Sequence, residues 1–341
     1  SMCGMIRVTS WGVLIPDRCC PSPGKEVEVK TVQVSANRRA FVEDEAPFFW
    51  LGDTQWELVR GFTLVEAQEI LRSRAEIGFT TIQVMLTGVG EGTRPNRAGE
   101  PPWQEGNPAA PNEAYFRHAD AVLDLAGQYG LVLVLGVYHQ VQASRFTPDV
   151  AQSYARWIAR RYRDVPHLMW SMYPRAEAAY VPVCRALAAG LQEGDGGAHL
   201  ITVHPDPSPA SSRFLHGEPW LGFHSIQTWK DVGRTYPMVR ADCALEPARP
   251  VVMAEGAYEA GTEYGFDVTP LWVRRQAYHS YMAGGHHAYG HNDSWRLLPT
   301  WREALEAPGA VQMGVLRRVV EAQAGWWGAV PDQSVFALEP T

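Results

Sequence analysis

What constrains this chain most is a pattern that recurs along its length. Eight short runs rich in Val, Ile, Leu, Phe and Tyr, at 48–54, 80–87, 131–139, 167–173, 200–205, 223–229, 250–256 and 286–291, are separated by amphipathic or loop-like stretches. Helices are expected at 63–78, 113–129, 147–163, 177–191, 233–241, 268–283 and 310–324, the first with Thr63 as N-cap and Glu66 as its capping-box partner. Alternating strands and helices build a parallel sheet with crossover connections. The fold class expected is therefore α/β, a (β/α)8 TIM barrel, preceded by a short β-hairpin around 31–43. An open doubly wound sheet is the competing arrangement, but the first run ends in Gly52-Asp53-Thr54, with one glycine where a dinucleotide loop carries several. No composition shift divides 31–341, which reads as one barrel domain. Residues 1–30, with Pro, Gly and Cys but no apolar periodicity, read as an irregular leader.

Composition narrows the function classes. The 341 residues carry 30 basic and 37 acidic side chains, a net charge of −7, with no basic stripe. This argues against nucleic acid or an anionic membrane as partner, because both draw affinity from clustered Lys and Arg. No apolar run approaches a membrane span, and the N-terminus lacks a secretory pattern, so a cytoplasmic protein is expected. Five cysteines without Cys-x-x-Cys spacing argue against a disulfide scaffold or zinc ribbon, and Cys184, on a helix face with Leu187 and Leu191, reads as core. The sequence leaves the oligomeric state open. The 13 Trp and 13 Tyr are informative, since several fall beside polar residues in loops. A sugar has a C–H face and a hydroxyl rim, and its cleft needs rings beside hydrogen-bonding groups; the alternative is that most of these rings fill the core.

In a barrel the working residues stand at the carboxyl ends of the strands. Those ends supply Asp53 and Trp56, Gln83, His139, Tyr173 and Arg175, His204, Gln227 and Trp229, Glu255, and finally His287, Tyr289, Asn292 and Trp295. Glu255 is the sharpest of these. It ends the apolar run Val251-Val252-Met253-Ala254, where a carboxylate either pairs with a cation or does chemistry. Asp53 reads equally as an Asx-type cap or as a sugar ligand. The histidines suggest neutral hydrogen-bonding partners for hydroxyls; a metal is not expected, because the first strand lacks the His-x-His pair of metal-dependent barrel hydrolases, and no cofactor is called for. Glycosidic hydrolysis needs a second carboxyl to protonate the leaving oxygen. After the fourth strand only Glu177 offers one, and it reads equally as a first-turn residue set against a helix dipole. Arg175 either pairs with Glu177 or favours an acidic sugar.

The segment 47–54 (PFFWLGDT) with Trp56 and Gly78-Phe79, then His204-Pro205, Ser211-Ser212, Pro219-Trp220, 223–227, 250–255 with Tyr258-Glu259, Tyr289-Gly290-His291, Trp295 and 331–333 resembles the apiosidase-like barrel family, related to glycoside hydrolase family 140. The resemblance spans 31–337. It implies a retaining glycosidase with a seventh-strand glutamate as nucleophile, which falls on Glu255, and an aspartate after the fourth strand as acid/base. Here the chain departs from the pattern: Tyr173-Pro174-Arg175 stands where the family's glycosidases carry Gly-Gly-Asp. With Tyr258 added to the binding set, the expectation is a retaining glycoside hydrolase acting on a small oligosaccharide or glycoside, with Glu177 replacing the missing acid. The competing expectation is a non-catalytic carbohydrate-binding barrel that has lost it. In either case the partner is a carbohydrate.

Overall fold

The computed structural model describes residues 31–173, 177–207 and 209–332. The irregular leader and Arg175 lie outside the described residues. Three short strands come first: β1 (Val32–Val34), β2 (Phe41–Glu43) and β3 (Ala46–Phe48), paired antiparallel in that order. The expected hairpin is thus a three-stranded sheet, and it takes Phe48 from the first barrel strand. Pro47 has no N–H to give a ladder, which suits β3 to a sheet edge.

Eight parallel strands follow as β4 (Leu51–Thr54), β5 (Thr81–Met85), β6 (Val132–His139), β7 (Leu168–Tyr173), β8 (Ile201–Val203), β9 (His224–Gln227), β10 (Val251–Glu255) and β11 (His286–Tyr289). Their order, β8-β7-β6-β5-β4-β11-β10-β9, runs round a nearly closed barrel. Each expected strand is present, trimmed at its ends. Helices lie between them, including Leu64–Ile77 with its Thr63/Glu66 capping box, Glu113–Gln128, Pro148–Tyr162 and Pro270–Met282. The helix expected from 177 begins only at Val181, with a proline in its first turn, after a 3-10 turn over Ala178–Tyr180.

Strand alternation sorts the core into two layers. Val132 and Val134 of β6 and Val252 and Ala254 of β10 fill the barrel with Met169 and Trp50. Leu133 and Leu135, one residue out of phase, pack outward among the helices with Cys184 and Leu187. The small sheet closes the amino-terminal mouth, where the Phe41 ring lies 4.9 Å from Trp50 and 5.3 Å from Phe223. The opposite mouth, where the strands end, is left for chemistry.

The seam between β8 and β9 lacks a full ladder; the Gly222 N–H donates to the Ile201 carbonyl at 2.8 Å, and side chains add to the join. The Thr202 hydroxyl donates to the Phe223 carbonyl at 2.9 Å and accepts from Ser225 Oγ at 2.9 Å, all of them buried. Thr202→Val keeps the shape, removes both bonds and leaves the Ser225 hydroxyl without its acceptor. It is expected to cost about 1–3 kcal/mol of unfolding free energy, read as a lower denaturation midpoint at unchanged m-value.

Candidate active site

At the carboxyl ends of the strands a cavity of about 160 Å³ is lined by Trp56, Met85, Val89, His139, Tyr173, Trp229, Glu255, Tyr258, Glu263, Tyr264, Trp295 and Arg296. Glu255 is its chemical centre. As the last residue of β10 it is only 8 % exposed, and its Oε1 accepts from Gln227 Nε2 at 2.7 Å. Its Oε2 faces His204 Nε2 at 3.4 Å. Tyr258 adds its hydroxyl: Trp56 Nε1 donates to that oxygen at 3.0 Å, leaving the phenolic proton for Glu255. Burial pushes the Glu255 carboxyl up to about 8 against the pull of Tyr258 and Gln227, and the negative charges of Asp206 and Glu263 push the same way.

The rings round Glu255 form one packed set. Tyr173 stacks on His139 with centroids 5.2 Å apart and 20° between planes, lies 4.4 Å from His204, and meets Trp56 edge-on at 5.8 Å. His139 Nδ1 accepts from the backbone N–H of Val141 at 3.3 Å and Gly90 at 3.4 Å, so the ring proton sits on Nε2. Burial keeps both histidines neutral, lowering His139 to about 4 and His204 to about 3. Trp229 holds its place with a left-handed φ of 49°. Such a conformation costs about 1–3 kcal/mol in a bulky residue and is found where function fixes the backbone. Its N–H, with that of Thr228, bonds the Glu255 carbonyl. On the rim, Arg296 pairs with Glu263 at 2.7 Å and lies over the Trp295 ring. The buried Trp295 Nε1 has no partner among the described residues and is a donor at the cavity wall.

Of the residues singled out in the sequence, Trp56, His139, Tyr173, Trp229, Glu255, Tyr258 and Trp295 line the cavity, and His204 and Gln227 stand directly behind Glu255. The others point elsewhere. Asp53 is fully buried 3.5 Å from the equally buried Arg74 and accepts from Gln55 at 2.9 Å, a structural ion pair toward the helix layer. Gln83 Nε2 spans the barrel to the Ala254 carbonyl at 2.8 Å and to Thr54 Oγ1. His287 lies by Ser280 within the wall. Tyr289 donates to the buried Glu259, which also receives the Gly309 N–H. Asn292 donates to its neighbour Asp293. Glu177 is half-buried just before the 3-10 turn and is not among the lining residues.

Sequence reasoning did not find Met85, Val89, Glu263, Tyr264, Arg296 or Asp206. Asp206 follows the β8 end by three residues, and that spacing was the available signal. Among the described residues no cluster of three or more His, Cys, Asp or Glu is arranged to hold a metal ion, and no helix is long and apolar enough to cross a membrane.

Comparison with known proteins agrees with this architecture. The model of the family described as "Apiosidase-like, catalytic domain" matches residues 35–327, and the chain belongs to that family. A solved structure described as a glycoside hydrolase is 25% identical with TM-score 0.84, over 92% of this chain and 79% of that one. A glycoside hydrolase family 5 structure from Bacteroides vulgatus is 24% identical with TM-score 0.83, over 91% and 76%. A family 5 mannosidase from Rhizomucor miehei shares the fold at 13% identity and TM-score 0.60, over 78% and 86%. No curated protein matches the sequence.

The raised Glu255 carboxyl has a consequence for stability. An acid raised in the folded state contributes stability that is fully present below its unfolded value and is lost as pH rises through its folded value, here about 8. Glu255→Gln removes that ionisation and keeps an acceptor for Gln227. Relative to wild type it is expected to melt a few degrees higher at pH about 9 than at pH about 5, as measured by calorimetric scans at both values; an equal difference at the two pH values counts against a strongly raised Glu255.

Proposed function

We propose that the protein is a retaining glycoside hydrolase in which Glu255 is the nucleophile. The observation that carries this reading is a desolvated carboxyl at the end of the seventh barrel strand, on the floor of an aromatic cavity and set by Gln227, Tyr258 and His204. Pockets for drug-sized ligands enclose about 300–1,000 Å³; about 160 Å³ suits one sugar ring against the reacting group. Trp56, Trp229 and Trp295 offer faces for C–H groups, and His139 Nε2 and Trp295 Nε1 offer protons to hydroxyls. The kinship with glycoside hydrolases supports the same chemistry.

In this mechanism the Glu255 carboxylate attacks the anomeric carbon as the bond to the leaving oxygen breaks, and a second carboxyl gives that oxygen its proton. The resulting carboxylate then takes a proton from the water that cleaves the glycosyl ester and frees Glu255. Glu177 and Asp206 are the candidates for the second carboxyl. Asp206 is better supported: its negative charge raises both Glu255 and Tyr173, the residue ending the fourth strand, which puts it within electrostatic reach of both. Neither Asp206 nor Glu177 is among the lining residues, and no such charge effect on Glu255 favours Glu177. A sugar-binding barrel without turnover is the second reading, favoured by the tyrosine at that strand end.

A panel of aryl glycosides tests the assignment. Wild type is expected to turn over one class with retention, and Glu255→Gln to fall to background. Asp206→Asn is expected to lose about 10²–10⁴ in kcat on poor leaving groups and little on activated ones, whereas Glu177→Gln stays near wild type. The reverse order of these two variants moves the acid to Glu177. Calorimetric sugar binding with no turnover by any protein establishes the receptor.

A further inference from the structure

We propose that His204 and Glu255 share a single proton between Nε2 and Oε2, and that His204 is a positioning residue that sets the pH at which Glu255 becomes the attacking carboxylate. The proposal deepens the glycosidase reading and rests on it.

The argument begins with the tautomer. His204 Nδ1 lies 3.1 Å from the Pro205 carbonyl oxygen, which can only accept, so Nδ1 carries the ring hydrogen. In a neutral ring Nε2 is then a bare lone pair. Among the described residues Nε2 is buried without a hydrogen-bond partner, and so is Glu255 Oε2, which faces it at 3.4 Å. Two buried acceptors at that distance repel unless a proton lies between them. One proton, held on Oε2 and offered to Nε2, satisfies both atoms and leaves no net charge in the cavity floor.

The surroundings favour this arrangement. Asp206 and Glu263 place negative charge near Glu255 and disfavour its ionisation; Gln227 and Tyr258 donate to it and oppose them. On the other side His204 meets the uncharged rings of Trp56 and Tyr173, and burial disfavours a positive charge on it. The bare nitrogen therefore stabilises the protonated form of Glu255. When the proton leaves for solvent, the carboxylate faces a lone pair. An N–H at this position would instead welcome the carboxylate.

The test is the pH dependence of kcat/KM on an activated aryl glycoside, on which leaving-group protonation matters little. Wild type is expected to gain activity as pH rises through the alkaline side of neutrality. His204→Gln, whose amide can turn an N–H toward Oε2, is expected to move that limb about one pH unit or more toward acid. His204→Phe keeps a ring beside Tyr173 and lacks the lone pair, so it is expected to shift the limb in the same direction. A limb unmoved in both folded variants overturns the proposal. Nitrogen-15 NMR of the wild-type ring reads the dyad without turnover: the expected form at pH about 6 is neutral, protonated on Nδ1, with Nε2 accepting a hydrogen bond. A proton bound to Nε2 together with an ionised Glu255 overturns the dyad even if hydrolysis is found. The expected NMR signature with no turnover on any glycoside keeps the dyad and removes the glycosidase reading.

Discussion

Parallel pairing is the constraint from which the rest of this molecule follows. Neighbouring parallel strands cannot be joined by a tight turn, so the chain must return over the outside between one strand and the next, and all eight strands finish at the same mouth. The three-stranded sheet occupies the other mouth with Phe41, Trp50 and Phe223 in contact, so one end of the barrel is plugged and dry. Only the carboxyl ends remain to gather polar side chains, and the helices never compete for that space.

At that mouth the governing quantity is desolvation. The Glu255 carboxyl is nearly removed from water, yet among the described residues its partners are amide, phenol and neutral imidazole, none of them a cation. Such a group is held close to its protonated form and gives up little solvation energy when a substrate displaces the remaining water. The contrast with Asp53 is instructive. Asp53, one residue before the end of its own run, is also a buried carboxylate at a strand end, but Arg74 sits 3.5 Å away with no access to solvent. Asp53 has a cation beside it in the described structure, whereas Glu255 is met by neutral donors.

Much of this was legible in the residues. The Val- and Ile-rich runs located the eight barrel strands, and the Thr63-x-x-Glu66 signal marked a helix start that the structure keeps. Strand-end polarity led to Glu255, His204 and Gln227 together. The reading was less successful where one step of a period-2 pattern decides direction. Gln83 turns into the barrel below the cavity and Asp53 turns out toward a helix, and a run read without its register does not distinguish the two. Glu263, Tyr264 and Arg296 come from loops whose course depends on contacts such as the Glu263–Arg296 pair, which leave no local pattern.

The sequence by itself determined the order and kind of the elements and the chemical types waiting at the strand ends, because both are written in spacings of two to four residues. Tertiary structure alone decided which of those side chains meet round one carboxyl, and in what protonation state. Solvent exclusion and the nearest donors are set by residues dozens of positions apart, Trp56, His204 and Gln227 around Glu255 among them, and no short-range pattern encodes their distances.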